Sequence, residues 1–146
     1  MRDGPLRRLI ALAAVGGLSL MAALSSGQDA PHAELVIEPP ESLTVGDRAS
    51  VIATVRIVPE GDRPVLVTPT SEGTAVEVVR GRLLRADAED SDAAVLRFSI
   101  PIVAATPGTS VLRVHVSGWA CEARCRPVET DEEVVLRVAR RPIGED

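Results

Sequence analysis

Hydrophobic and polar residues alternate through most of the chain from position 33 onward. A period of two places successive side chains on opposite faces of an extended strand, whereas a helix repeats every three or four residues. The clearest alternating segments are 49–58, 94–100, 111–117 and 134–138, with shorter ones at 35–37 and 65–67. The pattern therefore predicts many short strands and almost no helix.

The same alternation predicts which side chains point into the core. In the second strand these are Val51, Ala53, Val55 and Ile57. The later strands contribute Ala94, Leu96, Phe98, Ile100, Leu112, Val114, Val116, Val134, Leu136 and Val138. Phe98 and Trp119 are the aromatic residues of the chain, because it contains one Phe, one Trp and no Tyr. The core is therefore expected to be aliphatic.

Proline and glycine separate these segments. Proline cannot donate a backbone hydrogen bond, so the prolines on both sides of 65–67 predict a short edge strand that ends at Pro69. Segment 74–84 predicts a further strand, with a bulge or bend at Gly81. About seven strands with regularly spaced turns are typical of an immunoglobulin-like β-sandwich of antiparallel strands.

The first 27 residues have the three parts of a secretory signal. Arg2, Arg7 and Arg8 precede the uncharged stretch 9–24, and small residues follow up to Gly27, where we expect cleavage. An uncleaved membrane anchor is the alternative, although sixteen uncharged residues interrupted by Gly16 and Gly17 fall short of the roughly 20 that cross a bilayer. We predict a signal peptide at 1–27, a short linker at 28–32, the sandwich at 33–140 and a polar tail at 141–146.

Charge narrows the class of partner. The chain has 16 basic residues, all of them arginine, and 21 acidic ones, for a net charge of −5. Removal of 1–27 would take away three arginines and one aspartate, leaving 13 minus 20, or −7. An acidic surface repels nucleic acid and anionic lipid. We expect neither nucleic acid nor, once the N-terminal segment is cleaved, a membrane as partner.

Two cysteines lie close together in the segment after the strand 111–117. Cys121 and Cys125 stand beside Trp119, Arg124 and Arg126, in what the pattern predicts to be a connection at one end of the sandwich. In the periplasm or outside the cell such a pair can form a lasting disulfide, which for so small a ring contributes about 2 kcal/mol. The alternative is a pair that is oxidised and reduced reversibly. Neighbouring arginines support it, because they favour the thiolate, which is the form that exchanges disulfides.

Other chemistries find less support in the sequence. His115 with the two cysteines would supply three zinc ligands, but their spacing matches no standard zinc motif. The acidic segment 87–92 lacks the glycine and the distant glutamate of a calcium loop, since Phe98 stands at the glutamate position. The two histidines, His32 and His115, accompany no nucleophile motif. We predict no metal, no cofactor and no hydrolytic catalysis.

The C-terminal third resembles part of a known family. The residues concerned are the strand Val111–Val116, the run Trp119-Ala120-Cys121, Cys125, Pro127, and the strand Val134–Val138. They are similar to the end of the amino-terminal periplasmic domain of thiol:disulfide interchange reductases. The resemblance implies an immunoglobulin-like domain whose late hairpin holds a redox-active pair, here Cys121 and Cys125, that passes electrons to acceptor proteins.

Two functions remain open from the sequence. The first is an exported, non-catalytic binding or structural module with a bridged hairpin, which contacts another envelope or secreted protein through a sheet edge or end loops. The second is a thiol–disulfide exchange domain with a thioredoxin-like partner. Both place the protein in the periplasm or outside the cell.

Overall fold

The computed structural model describes residues 30–144. The predicted signal peptide and cleavage site, and residues 28, 29, 145 and 146 of the predicted linker and tail, lie outside this range. Eight strands and one 3₁₀ turn (Arg85–Asp87) follow in chain order: β1 (His32–Glu38), β2 (Arg48–Val58), β3 (Val65–Glu72), β4 (Val76–Val78), β5 (Leu83–Leu84), β6 (Val95–Ala104), β7 (Gly108–Cys121) and β8 (Cys125–Val138).

The strands form two sheets that pack face to face. One sheet has the order β1-β2-β6-β4 and the other the order β5-β3-β7-β8, and all pairings between these strands are antiparallel. The predicted all-β, immunoglobulin-like sandwich is thus confirmed. No helix within 30–144 is long and apolar enough to span a bilayer.

The core lies between the sheets and is built from the predicted inward faces, with two exceptions. Ala94 lies before the start of β6 and is exposed, and Val134 is only half-buried at the edge of the core. The inward residues of β2, together with Phe98, Ile100, Leu112, Val114 and Val116, are between 0 and 6 % exposed. Phe98 is the single buried aromatic side chain of the described chain, and aliphatic residues surround it. A period of two therefore identified the core, because every second side chain of a packed sheet leaves water.

The prediction that β3 is a short edge strand ending at Pro69 is wrong. β3 continues to Glu72 and pairs along its whole length with β7, with Pro69 opposite Val114. On its other side β5 pairs with Leu66 and Val67 alone, so Pro69 lies beyond the end of β5. At Pro69, β3 therefore has a partner strand on one side only, and proline is tolerated in strands with such a free edge.

Segment 74–84 does not form one bent strand, as the sequence pattern predicts. It forms β4 in the first sheet and β5 in the second, and the chain crosses between the sheets at 79–82. Gly81 lies in that crossing. The strand count is consequently eight rather than about seven.

Segment 118–127, predicted as a connection, is mostly strand. β7 extends to Cys121 and β8 begins at Cys125, which leaves 122–124 as the turn. The alternation of apolar residues fades near the turn because few side chains are buried at the tip of a hairpin. The backbone ladder continues there without them.

Candidate functional site

The cysteine pair closes the tip of the β7–β8 hairpin. The ladder runs from Gly108 opposite Val138 to Cys121 opposite Cys125, so the two cysteines are direct cross-strand partners. Their Cα atoms are 4.0 Å apart and their sulfurs form a disulfide, as predicted. Within the turn the N–H of Glu122 donates to the carbonyl of Arg124 at 3.2 Å.

Trp119 lies on the outer face of the hairpin, on the same side as Cys121. Its side chain is 46 % exposed and stands across the ladder from Pro127. The inward positions beside it are Gly118 and Ala120, and a β-carbon on Gly118 would approach Ile57 of the other sheet to 3.3 Å. Only small residues fit between the sheets at this end, which leaves the outer face for the large indole.

Arg124 and Arg126 are exposed at the tip and form no ion pair with any residue in 30–144. With Ala30, Pro31 and Ala120 they line a cleft on the inner side of the hairpin. Cys125 is exposed and Cys121 half-buried. The bridge therefore includes one exposed cysteine, which stands between Arg124 and Arg126 in the sequence.

His115 lies far from the cysteines and contacts carboxylates instead. Its Nδ1 is 2.9 Å from Asp131 and its Nε2 is 3.9 Å from Glu129, both on the adjacent strand. Six residues along β7 separate His115 from Cys121, a distance of about 20 Å. A single metal ion cannot bind both. Among the described residues, no group of three or more His, Cys, Asp or Glu side chains is arranged so that it could hold a metal ion.

Hydrogen bonds hold the acidic segment after β5. A hydrogen bond from the N–H of Leu84, and then the guanidinium of Arg80, lower the pKa of Asp87 below its ordinary value of 3.8. Asp90 accepts from the N–H of Asp92 at 3.0 Å. Backbone donors and a cation thus occupy these carboxylates.

The outer face of the second sheet is apolar next to the hairpin. We call this surface the apolar patch: it consists of Trp119 and Pro127 with Leu66, Leu84 and Pro64, and Arg82 and Glu129 border it. This surface is not among the sites predicted above from the sequence. Its signal was present, because Val65 and Val67 point inward and leave Leu66 between them on the solvent side.

No protein-family model and no curated protein matches the chain. Two solved structures of alpha-2-macroglobulin from Escherichia coli have a similar fold. A crystal structure of the native protein from domain MG7 to the C-terminus is 18% identical, with a TM-score of 0.55 over 78% of this chain and 17% of that chain. A cryo-EM reconstruction of the native conformation is 15% identical, with a TM-score of 0.51 over 74% and 7%.

At such identity the likeness shows the fold alone. The chain matches only a small part of each of the two larger chains, so it corresponds to a fraction of their length. Neither structure is a thiol:disulfide interchange reductase, and the resemblance to that family stays a prediction.

Proposed function

We propose that the protein is an exported, non-catalytic immunoglobulin-like module whose hairpin is fixed by a permanent disulfide and which contacts another envelope or secreted protein. The observation that carries the proposal is the register of Cys121 opposite Cys125 at the end of an unbroken ladder. A crosslink between residues that already face each other holds the ends of β7 and β8 together in their paired register. It costs the native hairpin little rearrangement and restricts the unfolded chain.

The tip offers a surface for the contact. Arg124 and Arg126 project at the end of the hairpin beside an open cleft, and Glu122 is the carboxylate of the same turn. Unpaired guanidinium groups bind carboxylates of a partner with two parallel hydrogen bonds. A rigid hairpin presents them at lower entropic cost than a mobile loop would.

The test is the reduction potential of the cystine, measured in dithiothreitol buffers by alkylation of free thiols and mass spectrometry. A structural bridge typically has a potential below about −300 mV and stays oxidised with glutathione. We expect such a value, together with a loss of about 2 kcal/mol in the free energy of unfolding of the double variant C121S/C125S. A potential above that limit would overturn the permanent bridge.

A second experiment tests the contact itself. A photo-crosslinking amino acid placed at Ala123, within the turn, is expected to capture a protein in the cells that express the chain. Placement at Ser99, an exposed position on the outer face of the first sheet, is the matched control. Equal capture at both positions, or none at either, would contradict a contact through the hairpin.

Thiol–disulfide exchange is the second candidate, and the exposure of Cys125 between two arginines favours it. A thiol of a reduced thioredoxin-like partner would attack one sulfur of the Cys121–Cys125 bridge and form a mixed disulfide. The second thiol of the partner would then attack that mixed disulfide and release the reduced domain. The partner loses two electrons and two protons and becomes a disulfide, while Cys121 and Cys125 become thiols. This candidate predicts a potential above about −300 mV. In the single variants C121S and C125S the remaining thiol should attack the disulfide of the oxidised partner, release one of its thiols and leave a trapped mixed disulfide.

A further inference from the structure

The outer face of the second sheet is apolar at the hairpin end and polar in its middle. At the hairpin end it presents the apolar patch, where Trp119 is 46 % and Leu84 48 % exposed. Away from the hairpin the same face carries an ion pair between Arg113 and Glu133 and the contact of His115 with Asp131. The two strands β7 and β8 therefore have a polar middle and an apolar end.

The exposed indole of Trp119 leaves apolar area in contact with water. The chain has one Trp and one Phe, and the Phe is buried. Aromatic side chains bury a large area when they meet a partner, and Trp is the residue most enriched at the energetic centres of interfaces. Within 30–144 the patch has no covering element, since the core lies on the opposite face of these strands. It is therefore available to a second molecule.

The charges around the patch are of opposite sign on its two flanks. Cross-strand pairing places Leu84, Leu66, Ser117 and Glu129 in one row across the four strands. Arg82, just before β5, borders the patch on the β5 flank, and Glu129 borders it on the β8 flank. Arg82 forms no ion pair in the described chain, and the Nε2 of His115 lies 3.9 Å from the carboxylate of Glu129.

We infer that the apolar patch binds the same patch of a second copy of this chain, and forms a twofold-symmetric dimer. If two sheets meet face to face about an axis parallel to the strands, the β5 flank of each copy faces the β8 flank of the other. Arg82 then meets the acidic flank around Glu129 twice, and the two apolar centres meet each other. A twofold interface requires this kind of self-complementary surface.

The charge pattern favours a second copy over an unrelated partner. A patch with one sign of charge would select a partner of the opposite sign, but this patch carries both signs on opposite sides. In a twofold dimer the positive side of each patch faces the negative side of the other, so both charges find a partner within two copies of the chain. Complementary charges at the rim act mainly on orientation and specificity, so they would fix the twofold geometry.

The size of the patch sets the strength of the dimer. Four strands about 4.8 Å apart and three rows of outward side chains about 7 Å apart cover a few hundred Å², less than the roughly 800 Å² per partner of a standard interface. We therefore expect weak and reversible association, with a dissociation constant on the order of 100 μM.

The test is sedimentation equilibrium of the protein purified from cells that express the full chain, combined with fluorescence of its single tryptophan. As the concentration rises towards about 1 mM, we expect the average mass to approach that of a dimer. Over the same range the emission of Trp119 should shift to shorter wavelength, because dimer formation removes the indole from water. Both signals report on the same surface.

Charge reversal makes the test specific. The variants R82E and E129R should each weaken association by roughly tenfold, and the double variant R82E/E129R should restore it to about the wild-type level. L84S should abolish association, whereas V36S, which changes an exposed aliphatic residue on the other sheet, should not. W119F should retain association.

Three results would overturn the dimer. These are a wild-type protein that stays monomeric at about 1 mM, a double charge reversal that associates no better than either single variant, and L84S that associates as the wild type does. All variants change exposed residues, and circular dichroism will confirm that they fold. The redox potential of the cystine is independent of these measurements, so the inference and the proposed function can fail separately.

Discussion

The Oγ of Ser110 lies 3.0 Å from the backbone nitrogen of Ala75 and accepts its hydrogen bond. The same oxygen accepts a second hydrogen bond, at 3.1 Å, from the N–H of Val76. Ser110 belongs to β7 in the second sheet, and Val76 begins β4 in the first. Ser110 is 2 % exposed. Its hydroxyl thus joins the two sheets where the chain passes from β3 to β4.

Replacement of Ser110 by Ala should destabilise the protein. Two buried N–H groups would lose their acceptor, and an unsatisfied buried donor costs on the order of 1 to 3 kcal/mol, so we expect a loss of about 2 kcal/mol. Urea denaturation of S110A measures it. The control S99A changes an exposed serine of β6 and should lie within about 0.5 kcal/mol of wild type. Equal stability of S110A and S99A would refute the cross-sheet role.

Replacement of Gly73, which lies at the same junction between the sheets, is predicted to destabilise the protein. Its φ of +107° is in the region that favours glycine, and a β-carbon there would lie 3.0 Å from the Oγ of Ser110 and 3.1 Å from the carbonyl of Thr109. We expect G73A to lower the free energy of unfolding by about 1 to 3 kcal/mol. In the control G81A the new β-carbon meets nothing within 4 Å. Thermal unfolding that shifts equally in both variants would contradict the prediction.

Arg85 should be required for the order of two loops. Its guanidinium donates to the carbonyls of Arg63, Ser91 and Gly61 at 2.8, 2.8 and 2.9 Å. A lysine ammonium cannot reproduce this planar arrangement of donors, so R85K should lose about 1 to 2 kcal/mol and R85A at least as much.

Hydrogen exchange locates the effect of the Arg85 substitutions. The amides of 61–63 and 88–93 should exchange faster in R85K than in wild type, whereas the exposed control R137A should leave them unchanged. Slow exchange in R85K would show that these loops are ordered without the three carbonyl contacts.

The contribution of Asp87 should depend on pH. The N–H of Leu84, and then Arg80, lower the pKa of this carboxylate below its value in the unfolded chain. A lowered pKa in the folded state stabilises the protein above the unfolded pKa, and this contribution disappears as the pH falls through the folded pKa. The stability of wild type relative to D87N should therefore be constant from about pH 7 to 5 and decrease between about pH 4 and 2.

Chemical denaturation across this pH range measures the effect. E41Q, which changes an exposed carboxylate outside these contacts, serves as the control variant for the general effect of acid. If the difference between wild type and D87N did not change below about pH 4, the contact of Asp87 with Leu84 and Arg80 would contribute nothing to folding.

The sequence by itself determined the fold class and the core of this protein. The period of two predicts core positions at every second residue, and the following are all buried: Val51, Ala53, Val55, Ile57, Phe98, Leu112, Val114 and Val116. This succeeds because burial of one face of a strand is recorded directly in the alternation of apolar side chains. The cysteine pair was also predicted, because close spacing in sequence restricts which thiols can meet.

Only the tertiary structure decided which strands are neighbours and what the outer faces carry. The predictions of a strand that ends at Pro69 and of one bent strand over 74–84 were wrong. A local pattern does not indicate whether a strand has a partner on each side or whether the chain changes sheet. The apolar patch and the three-carbonyl contact of Arg85 join residues from separate strands and loops. Such contacts depend on register and on the crossing of the chain between sheets, which are long-range properties that no local period encodes.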